Sequence, residues 1–291
     1  MIALTVVLAV FVGVALGLLG GGGSILTVPL LAYVAGMDAK QAIATSLLVV
    51  GVTSAVGAVS HARAGRVQWR TGLLFGAGGM TGAYLGGMLA RFIPGSVLLI
   101  GFAVVMIATA IAMLRGRRSN IESVDVQGFP VVKAVSEGVV VGLVTGLVGA
   151  GGGFLVVPAL ALLGGLPMPV AVGTALTVIA MNSFAGLGGY LSSVQIDWAM
   201  ALTVAAAAVI GALIGAKLTA MVNPEALRKA FGWFVLGMSA VILAEEIHLA
   251  AGLGAAALMT VGAAMYFVCG RTRFCPLRRI IGAPPVRAAT A

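Results

Sequence analysis

The chain repeats itself at a constant spacing of 129 residues. Segment 17–31 reads Gly-Leu-Leu-Gly-Gly-Gly-Gly-Ser-Ile-Leu-Thr-Val-Pro-Leu-Leu, and segment 146–160 reads Gly-Leu-Val-Gly-Ala-Gly-Gly-Gly-Phe-Leu-Val-Val-Pro-Ala-Leu. The same register continues through most of each half and aligns Gly13 with Gly142, Thr45 with Thr174, Thr53 with Asn182, Ser54 with Ser183, Trp69 with Trp198, Gly82 with Gly211, and Gly86 with Gly215. A register that aligns two of only three tryptophans indicates duplication of one structural unit.

The repeated unit is suited to lipid rather than to water. Only 9% of the residues are charged, against about 25% in soluble domains, and the mean hydropathy is +1.16. Each half is predicted to contain one interrupted apolar element and three spans: 2–36, 40–60, 71–91 and 96–114, then 131–165, 168–191, 199–221 and 226–244. An apolar segment at 250–269 has no partner in the first half. We therefore predict an all-α polytopic membrane protein with an extra C-terminal helix.

Charge predicts how the two halves are oriented. The net charge is +9, but the arginines lie between or after apolar spans, a pattern that favours membrane topology over nucleic-acid binding. We count the crossings back from an arginine-rich C-terminus that lies in the cytoplasm. If each interrupted element crossed the membrane once, the loop Arg63–Arg70 would lie outside. If each element instead enters and returns on one side, the halves are inverted, the arginine-rich loops lie inside, and the loops with Asp38 and Asp197 lie outside. We predict this second topology in a bacterial inner membrane, with the N-terminus outside and the C-terminus cytoplasmic.

The predicted domain boundaries follow the duplication. Residues 1–115 form the first transmembrane repeat, 116–130 a cytoplasmic linker, and 131–245 the second repeat. Residues 246–291 form the additional helix and a basic cytoplasmic tail. The first apolar run has no basic segment before it and continues into the glycine motif, so we assign it to the mature protein rather than to a signal peptide.

The two glycine motifs interrupt apolar helices and are candidate anion sites. A helix that begins after such a break presents unpaired N–H groups and the positive end of its dipole, which can bind an anion without a charged side chain. The candidate residues are Gly20, Gly21, Gly22, Gly23 and Ser24 in the first motif, and Gly149, Gly151, Gly152 and Gly153 in the second. The alternative for membrane glycines is close helix packing, which we predict for Gly78, Gly82, Gly86, Gly211 and Gly215.

Polar residues on the second span of each half are further candidates for binding a substrate: Thr45, Thr53, Thr174, Asn182 and Ser183. Eight residues separate Thr45 from Thr53 and Thr174 from Asn182, so each pair can share one helix face. Serine and threonine can instead bond their own helix or join neighbouring helices. Asn182 is the costliest of these residues to bury. No acidic residue is expected near the middle of a span, so proton coupling stays an open alternative.

The motifs resemble those of the TauE/SafE family of sulfite-exporter-like membrane proteins. The resemblance rests on both glycine motifs, on the Ala-Thr-Ser-Leu box at 44–47, on the Gly-Thr-Ala-Leu box at 173–176, and on the duplication over about 1–245. It implies a secondary carrier that exports a small sulfur-containing anion such as sulfite, thiosulfate or an organosulfonate. Substrate, direction, coupling ion and oligomeric state are not determined by the sequence, and a homodimer stays open.

Two other functions stay open at this point. One is a passive anion channel, and the other is a membrane sensor or scaffold for a sulfur-handling partner. We expect no enzyme activity, cofactor or metal, because the sequence has no metal-ligand cluster, no Ser/His/Asp arrangement and no nucleotide loop.

Overall fold

The computed structural model describes residues 2–19, 22–115, 131–149, 152–162, 166, 168–218 and 224–246. Over these residues the chain is helical and contains no strand. The α-helices are α1 Ile2–Leu19, α2 Thr27–Pro29, α3 Ala39–Arg63, α4 Trp69–Leu89, α5 Gly95–Arg115, α6 Val131–Val148, α7 Gly153–Leu162, α8 Met168–Tyr190, α9 Trp198–Leu218 and α10 Pro224–Glu246.

The predicted all-α polytopic class is confirmed. Among the described residues, four helical stretches are long and apolar enough to cross a membrane: Ala39–Arg63, Trp69–Phe92, Val170–Tyr190 and Trp198–Leu218. Large apolar side chains such as Phe11, Leu202 and Ile210 are more than half exposed, as expected for a lipid-facing surface. The protein is therefore a multi-pass membrane protein. The predicted segment 250–269 and the basic tail lie outside the described residues.

Both interrupted elements contain a break at the glycines. In the first half, α1 ends at Leu19, and the chain resumes as an irregular helix over 22–34, which has 3₁₀ geometry over Gly22–Leu26 and π geometry over Leu30–Val34. In the second half, α6 ends at Val148 and α7 starts at Gly153. We call 22–34 and α7 the two return segments. They differ in helical geometry although their sequences align.

The described helices form two compact units. The first contains the described residues within 1–102 and 119–224, and the second those within 103–118 and 225–291. In the second unit, α10 packs on the latter part of α5, where a Cβ placed on Gly232 would lie 3.1 Å from Cδ2 of Leu114. The candidate residues that the structure describes all belong to the first unit.

Helices from different halves pack against each other through glycine. Helix α1 packs along α9, and α6 packs along α4. Cβ atoms placed on Gly82 and Gly86 would overlap the backbone of α6 at Val139 and Leu143. Those placed on Gly211 and Gly215 would overlap the backbone of α1 at Val10 and Val14. The predicted packing role of these glycines is confirmed. The 129-residue offset relates the α4–α6 contact to the α9–α1 contact, residue by residue.

The register of these contacts gives the helix directions. Helix α3 runs antiparallel to α8, because Gly57 lies against Leu176 whereas the earlier residue Gly51 lies against Ser183. Helix α4 runs parallel to α8, since Gly72 lies against Thr174 and Gly79 against Asn182. The start of α4 and the start of α8 therefore share one end of the bundle.

The two ends of the bundle carry different charges. We call the end with loop 64–68 the arginine face, after Arg66 and the flanking Arg63 and Arg70. The opposite end is the aspartate face, where Asp38 and Asp197 begin α3 and α9. A carboxylate oxygen of Asp38 accepts the Lys40 N–H at 3.2 Å, and one of Asp197 accepts the Met200 N–H at 3.1 Å. These bonds satisfy backbone donors that a helix start leaves unpaired.

Candidate functional site

The second glycine motif adopts a backbone conformation that glycine favours. Gly149 and Gly152 have φ angles of +75° and +78°. A Cβ on Gly149 would overlap the Ile43 side chain and lie 3.0 Å from its Cα, so the loop rests directly on α3. Gly153 is buried as the first residue of α7, and Gly151 lies outside the described residues. The glycines here allow both the turn and its close approach to α3.

Side chains from two other helices satisfy the carbonyl groups that this break exposes. The Ser46 hydroxyl donates to the Gly149 carbonyl at 2.9 Å, and the Tyr190 hydroxyl donates to the Leu147 carbonyl at 2.8 Å. Unpaired carbonyls within a membrane are costly, so these bonds allow a buried break in a membrane helix. Ser46 and Tyr190 were not among the predicted site residues.

The first glycine motif lies beside the second return segment. Gly22 and Gly23 begin the 3₁₀ stretch of the first return segment, and that stretch contacts α7. Ser24 is fully buried. Thr27 follows in the same segment, with its hydroxyl buried and without a hydrogen-bond partner. Gly20 and Gly21 lie outside the described residues.

Asn182 differs from the other polar residues of the described bundle in that both polar atoms of its side chain are buried and unpaired. It is 1% exposed, and neither its Oδ1 nor its Nδ2 has a hydrogen-bond partner. A Cβ on Gly79 would lie 2.6 Å from Nδ2, so the carboxamide lies directly on the glycine backbone of α4. A buried amide without partners costs about 1–3 kcal/mol per group. Such a group makes Asn182 a candidate for binding a ligand or water.

Hydroxyl groups without partners occur on both helices that cross here. Ser183 adjoins Asn182 on α8, and its Cβ would lie 3.3 Å from a Cβ placed on Gly51 of α3. The hydroxyls of Ser183, Ser54 and Thr45 are buried and have no hydrogen-bond partner. The Ser183 side chain therefore faces α3, whereas the Asn182 amide faces α4. The amide and the hydroxyls can each donate hydrogen bonds to an anion.

Thr53 and Thr174 are already satisfied. The Thr53 hydroxyl lies 2.8 Å from the Val49 carbonyl and 3.1 Å from that of Val50, both in its own helix. The Thr174 hydroxyl accepts the Gln68 N–H at 2.9 Å, which fixes the start of α4 to α8. Neither hydroxyl needs a ligand to be satisfied.

The structure does not bring the second glycine motif to the Asn182 amide. A Cβ on Gly186 would lie 3.6 Å from the Cα of Gly146, so these two glycines are at one level of the bundle. With a rise of 1.5 Å per residue, Gly149 lies about 10 Å beyond Asn182 toward the aspartate face. From the sequence, both the glycine motifs and the polar residues of the second spans are candidate anion-binding groups; in the structure the second motif and the Asn182 amide lie at different levels.

Comparison with known proteins gives the family. A family model described as sulfite exporter TauE/SafE matches residues 5–242. The chain belongs to the TauE/SafE family. A probable membrane transporter protein of Xylella fastidiosa is 33% identical over 80% of this chain and 91% of its own length. A probable membrane transporter protein of Bacillus subtilis, YdhB, is 29% identical over 77% of this chain and 94% of its own. No solved structure is significantly similar to the chain.

The comparisons confirm the resemblance seen in the sequence. Together with the apolar helices they support a membrane transporter and point to transport rather than catalysis. Another relative, a probable membrane transporter protein of Methanocaldococcus jannaschii, is 27% identical over 78% of this chain and 90% of its own length.

The TauE/SafE bundle also holds an acidic residue that the sequence analysis passed over. Glu137 is half-buried in α6, six residues after that helix begins. Its neighbour Gly138 packs against the backbone of α4 at Phe75, about two turns into α4. A carboxyl group at this depth in a membrane helix is a candidate proton carrier. The matched position in the first half is Leu8, so the duplication offered no signal for it.

Proposed function

We propose that this TauE/SafE protein is a secondary carrier that exports small sulfur-containing anions, such as sulfite or organosulfonates, by alternating access between two inverted repeats. The observation that carries the proposal is the buried Asn182 amide, which has no hydrogen-bond partner and faces Gly79 of α4. The next residue, Ser183, faces Gly51 of α3 and its hydroxyl also lacks a partner. The family membership and the names of the relatives support the transport class and the choice of cargo.

The buried polar groups of α8 and α3 suit an oxyanion that also carries hydrogen. Asn182 offers an N–H donor and a carbonyl acceptor, and the hydroxyls of Ser183 and Ser54 can donate or accept. Hydrogensulfite has acceptor oxygens and one proton, so it can use both kinds of partner. A set of neutral groups also binds an anion without holding it as tightly as an arginine would, which suits a carrier that must release its cargo.

The helix directions support inverted repeats. Helices α3 and α8 occupy matched positions in the duplication, yet they run antiparallel. Two copies related by an axis along the membrane normal would place matched helices parallel, whereas an axis in the membrane plane reverses them. The crossing point of α3 and α8, close to Asn182, then lies near that axis, where both repeats contribute to one site.

Glu137 is the group we propose for proton coupling. A carboxyl group within a membrane helix can exchange a proton as its surroundings change between states. Coupled transport would then depend on a proton gradient, and an Asn182 substitution would weaken transport while leaving the gradient itself unaffected.

Uptake of sulfite into proteoliposomes tests the proposal. We expect saturable uptake by the wild type, accelerated by a proton gradient. Asn182→Thr should raise the apparent KM about 10- to 100-fold, because hydrogen bonds to a charged ligand contribute about 1.5–3 kcal/mol. Non-saturable flux that is insensitive to Asn182 would instead favour a passive channel. No uptake of sulfite, thiosulfate or sulfoacetate by folded wild-type protein would reject the proposed cargo.

A further inference from the structure

One hydrogen bond and one close backbone contact hold the loop at the arginine face against α8. The backbone N–H of Gln68 donates to the Thr174 hydroxyl at 2.9 Å, and the Thr71 hydroxyl donates to the Gln68 side chain at 2.9 Å. Beside this bond, Gly173 lies against the Arg66 carbonyl so closely that a Cβ there would overlap it. We call this set of contacts the arginine-face latch. It joins helices from the two halves, α4 and α8.

The duplication defines an equivalent place at the aspartate face. Under the 129-residue offset, Thr174 corresponds to Thr45 and Gln68 to Asp197, and helix pair α8–α4 corresponds to α3–α9. Helices α3 and α9 do contact each other, although over a smaller part of their length than α8 and α4. The elements that would form a second latch are therefore adjacent.

The second latch is not formed in this structure. The Thr45 hydroxyl is fully buried and has no hydrogen-bond partner, so it makes no bond to the Asp197 N–H.

One pair of matched residues accounts for the difference between the faces. The residue that corresponds to Gly173 is Ala44. A Cβ at Gly173 would overlap the loop carbonyl, so an equally close approach of the aspartate-face loop to α3 would meet the methyl group of Ala44. The arginine-face latch is therefore the stronger one.

We propose that Thr45 and the start of α9 at Asp197 form a second latch, and that the carrier alternates by closing one latch as the other opens. This proposal rests on the alternating-access function proposed above. Gly173 allows the arginine-face loop to approach α8 closely, whereas Ala44 hinders the equivalent approach at the aspartate face. The state with the arginine face closed is therefore the more populated one in the absence of substrate. Thr45 and Thr174 are positioning residues in this scheme, since each fixes a loop.

Amide hydrogen exchange of the full chain in lipid nanodiscs, without substrate, tests the proposal. The two readouts are peptides covering 66–72 and 195–201. We expect Gly173→Ala to raise exchange at 66–72 and to lower it at 195–201. The matched change Ala44→Gly should produce the same pair of shifts, because it strengthens the opposite latch. Each shift should be about two- to tenfold, the range for one hydrogen bond.

Thr45→Val supplies a variant that retains the fold. It removes a hydroxyl with no bond to lose in the present state, and it should raise exchange at 195–201 while lowering it at 66–72. If Gly173→Ala changes only peptide 66–72, and Thr45→Val changes neither peptide, the two loops are independent and the proposal is wrong. Failed sulfite transport with reciprocal exchange intact would reject the cargo but not the latches.

Discussion

Replacing Asn182 by threonine should make the protein more stable and weaken its transport of sulfite. Threonine has nearly the same volume as asparagine and is the residue at the matched position of the first half, Thr53. There the hydroxyl bonds the carbonyls of Val49 and Val50 in its own helix. A threonine at 182 can bond its own helix in the same way, which replaces an amide without partners by a satisfied hydroxyl.

The size of the effect follows from the burial of the amide. Asn182 is 1% exposed and both polar atoms of its amide lack partners, so its removal should raise the free energy of unfolding by about 1–3 kcal/mol. That corresponds to about 2–10 °C in the apparent Tm of a domain of this size. Thermal unfolding of purified protein, followed by size-exclusion fluorescence, measures it. Sulfite uptake by the same preparation measures the weakened transport.

The reverse exchange is the matched control. Thr53→Asn breaks a bond to the helix backbone and adds a buried amide, so it should lower the apparent Tm. If Asn182→Thr instead lowers the apparent Tm and leaves uptake unchanged, the amide of Asn182 makes bonds that hold the fold, and the reasoning that assigns it to a ligand is wrong.

Three further predictions concern the glycine break and coupling. Gly149→Ala should lower the apparent Tm markedly, because a side chain at a positive φ is strained by about 1–2 kcal/mol and here also meets α3; Gly101→Ala, which meets no atom within 4 Å, should be neutral or stabilising. Ser46→Ala should lower the free energy of unfolding by about 1–3 kcal/mol by leaving the Gly149 carbonyl unpaired, whereas Ser54→Ala breaks no bond and should not, as denaturant titration would show. Glu137→Gln should abolish acceleration of sulfite uptake by a proton gradient while leaving counterflow exchange intact, and unchanged acceleration in this variant would exclude Glu137 as the proton carrier.

The sequence was sufficient for features that repeat along the chain. Apolar runs of fixed length predicted the helices to within a few residues at most ends: the span expected at 40–60 is α3 at Ala39–Arg63, and that expected at 199–221 is α9 at Trp198–Leu218. These features could be predicted because the thickness of a bilayer sets helix length directly. Both breaks also occur at the predicted glycines. Glycine loses more conformational entropy in a helix than other residues do, so a cluster of glycines weakens a helix whatever its neighbours are.

The sequence register did not determine which polar side chains have hydrogen-bond partners. Thr53 and Asn182 are equivalent by register, yet one is satisfied by its own helix and the other has no partner. The bonds of Ser46 to Gly149 and of Gln68 to Thr174 join residues 103 and 106 positions apart. No local pattern encodes which such groups meet.

The sequence by itself determined that this is a duplicated, helical membrane protein of the TauE/SafE family, because hydropathy, glycine breaks and register are properties of consecutive residues. Only the tertiary structure decided that the Asn182 amide lies unsatisfied against α4, that Thr174 holds a loop, and that Thr45 holds none. The physical reason is that a hydrogen bond requires two groups within about 3 Å, and helix packing across the two halves fixes which groups come that close.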